Sequence, residues 1–304
     1  MTPHRAPASP IPILLYHAVA DDVDGPSAPW VVSPAEFADH LDAVAGTGAR
    51  PITVAALADL LASGSDIPPG TIAITFDDGF ADMATGALPA LAAHGWPATL
   101  FVTTGAIDAT ATWMPDDHRP MLSWSAIADL ADANVEIGAH TVHHPELDTI
   151  AREDARSEIR RSRADLEDHL GRPVVSFAYP HGYHDRHVRR LAIDAGFSSA
   201  SAVKHAFSSY LDDRFALSRV MVRRGDDAST VARWARGQGL RTSTGGGGAP
   251  ASVVWRQVRR ARACPPRARG TGVAGCPSST PSEPTIPTRR RARPPPRGRR
   301  APPS

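Results

Sequence analysis

Two features of this sequence predict an α/β fold of parallel strands joined by crossover helices. From residue 11 onward, short apolar runs alternate with amphipathic stretches, the pattern a strand–helix–strand repeat requires. The residues best suited to chemistry fall just after apolar runs, and such folds gather their functional groups at the carboxyl ends of strands. Both cysteines, Cys264 and Cys276, lie near the C-terminus, so no disulfide framework is expected to hold the fold together. At 304 residues the chain has room for one large barrel or two small domains.

Taken in order, strands are expected near 12–17, 50–53, 71–76, 98–103, 135–139, 174–179, 198–202 and 215–222. Each is a short apolar or β-branched run of strand length. The helices between them are expected near 34–46, 54–62, 84–94, 123–133, 151–170, 184–195 and 227–236. The longest, Ala151 to Leu170, carries Arg and Asp or Glu at close spacing and reads as a solvated outer face.

The third strand, Thr71-Ile72-Ala73-Ile74, runs into Thr75-Phe76-Asp77-Asp78-Gly79. Neighbouring strand residues point to opposite faces, so two adjacent Asp side chains share no packing role. Side by side they repel, unless a metal or a shared proton compensates. The fifth strand, from Val135, ends in His140-Thr141-Val142-His143-His144. His140 and His144 stand four apart and one turn would bring both imidazoles to one side, although His140 and His143 could also converge. Two imidazoles and a carboxylate leave a coordination position open for water, the layout of a catalytic divalent metal rather than a closed structural one. The sixth strand leads into Tyr179-Pro180-His181-Gly182, a tight turn whose backbone N–H groups suit an oxyanion.

Together these residues resemble the polysaccharide deacetylase family, the NodB-homology carbohydrate esterases. Thr75 to Gly79 is similar to its first motif and His140 to His144 to its second. Phe177-Ala178-Tyr179-Pro180-His181-Gly182 is similar to the Phe-Ala-Tyr-Pro variant of its third. Leu14-Leu15-Tyr16-His17, Pro97 to Val102, Leu122-Ser123-Trp124 and Leu217-Ser218-Arg219-Val220 add to the likeness, which covers about residues 11 to 236. The resemblance implies a distorted (β/α) barrel of about seven units. It implies metal-dependent removal of acetyl groups from an N-acetylated glycan or small acetylated sugar. Asp78, His140 and His144 become the expected metal ligands and Asp77 the expected general base. The expected metal is Zn²⁺, with Co²⁺, Mn²⁺ or Ni²⁺ as alternatives, and the His181 amide becomes an oxyanion donor. Two positions depart from the family. Many members carry Arg where this chain has Ala178, and Arg219, read as following a later strand, is the candidate replacement. The usual late His that serves as general acid has no clear match, so His17 is the first substitute and His181 the second. Other outcomes of the same scaffold are hydrolysis of a non-sugar amide or cyclic imide, or an inactive carbohydrate-binding homologue. Trp113, Trp124 and Tyr183 are candidates for stacking on sugar faces.

Composition changes sharply after about residue 240, dividing the chain into an extension over 1–10, a catalytic domain over 11–240 and a tail over 241–304. The tail holds fourteen Arg and one acid, Glu283, for a net +13, against −12 for the rest. Such a segment cannot bury enough apolar surface to fold and is expected to be disordered. A basic arm for an anionic polymer is one reading of it. A dispensable extension, consistent with the single Lys204 among thirty-two Arg, is preferred, so no nucleic-acid partner is expected. Residues 1–10 lack the apolar stretch of a signal peptide, and no run approaches the ~18 apolar residues of a membrane span. The expectation is a cytoplasmic protein.

Overall fold

A computed structural model of the protein describes residues 9–21, 24–25, 27–114, 116–243 and 259. The chain divides into two compact units, Met1–Cys264 and Pro265–Ser304, and every described residue belongs to the first. The expected tail therefore lies outside the described residues beyond 243, apart from Arg259.

The chain begins with β1 (Ile13–Tyr16), β2 (Ala18–Val19), β3 (Val31–Val32), α1 (Pro34–Ala45), β4 (Arg50–Pro51) and α2 (Val54–Ser63). It continues through β5 (Thr71–Phe76), α3 (Leu88–His94), β6 (Ala98–Val102), α4 (Trp124–Asp132), β7 (Val135–Ala139) and α5 (Arg152–Leu170). The last elements are β8 (Ser176–Ala178), α6 (Arg186–Asp194), β9 (Ser199–Ser201), β10 (Val220–Met221) and α7 (Ala228–Ala235). The main sheet runs β10-β1-β5-β6-β7-β8-β9, with β4 added on β5, and every pairing is parallel. Every residue of β1, β5, β6, β8 and β9 is buried, as expected for parallel strands covered on both faces.

Local chemistry sets the helix limits. Ser33 and Glu36 form a reciprocal capping box at the start of α1, and Thr53, Ser123, Asp185 and Asp227 cap α2, α4, α6 and α7, supplying acceptors for otherwise orphaned N–H groups. The outer face of α5 is charged and exposed, while Ala155, Ile159, Ser162 and Leu166 are buried. Helix α3 starts later than the expected residue 84. Met83–Ala87 forms a wider π turn instead, closed by the Leu88 N–H on the Met83 carbonyl.

The expected strand over 215–222 is interrupted. Leu217 bridges Ser201 on one edge of the sheet, and only Val220–Met221 pairs with β1 on the other. The chain changes partner between these points, so it cannot keep a continuous ladder with either. That short switch closes the sheet into a distorted barrel. It also puts Arg219 just ahead of β10, inside the closure, rather than after a strand.

Candidate metal and catalytic centre

The first strand end to consider is that of β5. Asp77 extends the strand, its N–H bonded to the Tyr16 carbonyl at 3.1 Å, but Asp78 turns into the left-handed region at φ 74° and Gly79 follows at φ 97°. This abrupt turn redirects the second carboxylate, and both Asp77 and Asp78 end up lining one cleft and buried. Thr141, His144 and His181 are also non-glycine residues at positive φ. Such backbone is sparsely populated because Cβ crowds the following carbonyl, and it clusters where tertiary structure fixes a site.

Beyond β7, the histidine loop is not a helical turn. Its fastening comes from α5, where Glu158 accepts from the Val142 N–H at 2.9 Å, the His143 N–H at 2.8 Å and His143 Nδ1 at 2.7 Å. His143 is thereby held outward, its side chain 61% exposed. His140 and His144 turn inward, with Nε2 atoms 3.6 and 3.3 Å from Asp78 Oδ1. His140 Nδ1 lies 2.8 Å from the Ala178 carbonyl. A carbonyl can only accept, so Nδ1 carries the proton and Nε2 offers its lone pair to the cleft. Burial pushes the His140 imidazole down to about 4, although the Asp77 charge acts the other way, and a neutral ring results.

Arg219 meets the other carboxylate. Its Nη1 donates to Asp77 Oδ1 at 2.6 Å and its Nη2 to Asp77 Oδ2 at 2.7 Å, while Nε donates to the Ala202 carbonyl at 3.1 Å. The guanidinium is fully buried, 5.4 Å from the Phe101 ring centre. Burial by itself would push the Asp77 carboxyl up, but the Arg219 charge holds it below the usual range. Asp78 is likewise held low, as His144 and the other imidazoles outweigh its burial. Both carboxylates are therefore ionised at neutral pH. Ala178, where the resemblance would put an Arg, contributes its carbonyl to His140 instead.

Three donor atoms, one each from Asp78, His140 and His144, lie within 4.8 Å of one another. The 3.3 and 3.6 Å separations from Asp78 Oδ1 to the two nitrogens match the edge of a tetrahedron with ~2.1 Å bonds, about 3.4 Å. Asp78 Oδ1 is buried without a hydrogen bond, a costly condition that a cation would relieve. The donor set and its second contacts fit a divalent metal of the zinc type.

The cleft holding these groups has a volume of about 310 Å³. His17, at the end of β1, lines it beside the carboxylates, and its Nδ1 is buried without a hydrogen bond. Trp113 stacks on His144 with ring centres 4.6 Å apart, and His181 stands edge-on to His144 at 4.7 Å. Tyr183 lines the rim. Trp124 does not share this setting, as it stacks on His169 at 3.6 Å and is not part of the cleft wall. Within the turn after β8, only His181 lines the cleft. Tyr179 and Pro180 are buried, and the Tyr179 hydroxyl donates to the Phe215 carbonyl at 3.0 Å. The amides of Gly182 and Tyr183 are taken up within the turn, by Tyr179 and Pro180 carbonyls. Gly182 sits at φ 75°, and a Cβ there would lie 2.3 Å from the Val203 nitrogen. Gly182→Ala is expected to lower stability by about 1–3 kcal/mol through strain and collision, measured as a fall in the denaturation midpoint.

Two groups at this centre had no signal in the sequence. Glu158 sits on a helix whose charge pattern reads as solvated surface, and the Ala178 carbonyl is a backbone atom. Arg119, also on the cleft wall, is paired with Asp117 at 2.6 Å and Asp82 at 3.4 Å and lies 4.1 Å above the Phe80 ring, so its charge is already matched.

Comparison with known proteins finds likenesses in sequence and in fold. Residues 64–200 match the sequence profile described as polysaccharide deacetylase. The protein YxkH of Bacillus subtilis strain 168, named for the same family, is 25% identical over 224 residues, covering 74% of this chain and 75% of its own. Among solved structures, IcaB from Ammonifex degensii superposes with a TM-score of 0.64 at 25% identity, over 75% of this chain and 97% of that one. The Streptococcus pyogenes deacetylase PplD, solved in complex with acetate, gives 0.66 at 21% identity, over 75% and 99%.

Proposed function

Since this chain belongs to the polysaccharide deacetylase family, we propose that it is a metal-dependent hydrolase that removes acetyl groups from N-acetylated sugars. The observation that carries this reading is the division of labour between two adjacent carboxylates: Asp78 faces His140 and His144, while Asp77 is clamped by Arg219 with Oδ2 3.9 Å from His140 Nε2.

Asp78, His140 and His144 would hold the metal, with zinc the first choice and Co²⁺, Mn²⁺ or Ni²⁺ the alternatives. When bound, such an ion acidifies water toward ~7 and polarises a carbonyl. Asp77, ionised before substrate arrives, takes the proton as the water oxygen bonds to the acetyl carbon. The His181 amide, not used by its own turn, is the candidate donor to the oxygen that gains charge. As the carbon–nitrogen bond breaks, the leaving nitrogen takes a proton, and His17 is the candidate donor by its place on the cleft wall. The products are acetate and a free amino sugar.

Metal content measured on the purified protein, paired with acetate release from N-acetylglucosamine oligomers, peptidoglycan fragments and small acetylated sugars, tests the proposal. About one metal per chain and acetate from at least one sugar are expected. Ammonia or a ring-opened acid from amide or imide substrates, with no acetate from any sugar, would reassign the chemistry. Glu158 offers a narrower check. Glu158→Ala is expected to weaken zinc affinity about 10–100-fold by releasing the histidine loop, read in competition with a chelator. Unchanged affinity would leave Glu158 a surface residue with no bearing on the centre.

A further inference from the structure

Three side chains, one of them Tyr183 of the cleft wall, surround a cation. Glu146 and Asp148 follow closely on the His144 loop, and Tyr183 follows the turn that carries His181. Between them lies the guanidinium of Arg259. Its Nε is 3.0 Å from Glu146 Oε2, its Nη2 donates to Asp148 Oδ2 at 2.6 Å, and its carbon centre is 3.7 Å above the Tyr183 ring. The Arg259 and Asp148 side chains are only 12% and 6% exposed, so the contact is screened from water. Tyr183 also faces the His181 ring, with centres 5.7 Å apart, and so joins this position to the cleft.

Two carboxylates and one aromatic face are what recognition of an organic cation requires. The walls all come from the domain, whereas the cation that fills them belongs to the Arg-rich C-terminal region. None of the four residues has a part in the hydrolysis described above. That reaction nevertheless creates a cation, because each acetamide it opens becomes an amine that is protonated at neutral pH. A glycan processed at one sugar thus carries an ammonium when a second sugar enters the cleft.

We infer that Glu146, Asp148 and Tyr183 form a subsite for the ammonium of an amino sugar adjoining the one being processed, and that Arg259 fills this subsite when no such sugar is bound. The amino-sugar ligand rests on the proposed deacetylation, while the cation subsite itself does not. Arg259 then acts as a tethered competitor, and a partly deacetylated glycan gains on the enzyme by displacing it.

The test is binding to full-length, metal-free protein by calorimetry, using glucosamine oligomers, N-acetylglucosamine oligomers and methylguanidinium. If Arg259 fills the subsite about nine-tenths of the time, Arg259→Ala tightens glucosamine oligomers and methylguanidinium about tenfold, and N-acetylated oligomers change little. Adding Glu146→Gln and Asp148→Asn, or Tyr183→Ala should the double change fail to fold, is expected to remove that gain. A gain for methylguanidinium but not for glucosamine oligomers overturns the amino-sugar assignment. No gain for either overturns the subsite. Absence of acetate release in the substrate screen leaves both binding results standing, so the two readings fail separately.

Discussion

Asp77→Asn is expected to retain the bound metal and to lose turnover by about 10²–10⁴-fold or more, the usual worth of a positioned general base. Asn keeps the shape of the side chain and one acceptor for Arg219, but it cannot take a proton from water. The proposed ligands Asp78, His140 and His144 are unchanged, so metal content should stay near that of the parent. Stability is the complication, because the substitution leaves a buried guanidinium without its counter-charge. A double variant, Asp77→Asn with Arg219→Met, separates the effects: it should regain part of the lost stability and none of the activity. Acetate release near the parental rate from Asp77→Asn would remove Asp77 from the mechanism.

Arg219→Met is expected to be the most destabilising single change at the centre. Removing one member of a buried, bidentate pair strands the other charge at a cost of about 3–5 kcal/mol. Asp77 would then escape part of that cost by binding a proton, since burial pushes its carboxyl up and the charge opposing that push is gone. A protonated Asp77 cannot act as a base, so turnover should fall with stability. The denaturation midpoint and the acetate rate, followed together, check both halves. Arg219→Met combined with Ala178→Arg asks whether the guanidinium can return from the strand where the family resemblance would place it. Partial recovery of the acetate rate is expected. An Arg219→Met protein as stable and active as the parent would show that the clamp has no role.

The parts of this centre legible in the sequence are those encoded locally. The Asp77-Asp78 pair and the His140–His144 run announce themselves because each sits at the end of an apolar strand, where parallel folds concentrate chemistry. Strands and helices were readable for the same reason, from apolar runs of the right length and from alternation. What the sequence could not show depends on tertiary closure. Arg219 stood as a candidate replacement guanidinium, but its two-point contact with Asp77 comes from the switch of partners between Leu217 and Val220. Glu158 looks like any other acid on a charged helix until the loop folds over it. Trp113 and Trp124 have equal claims to a sugar face in sequence, and only packing divides them, one against His144 and the other against His169.

The distance along the chain between Asp77 and Arg219 has a consequence for how the enzyme matures. All three proposed ligands lie between residues 78 and 144, yet the guanidinium that keeps Asp77 charged comes 142 positions after it, from the segment that closes the sheet. The pair that orients the base is therefore among the longest-range contacts of the centre, made only when the segment around Arg219 packs against the end of β5. Burial of Asp77 and the guanidinium that offsets it thus arrive in one closing step, so the finished barrel never holds the base dry and uncompensated.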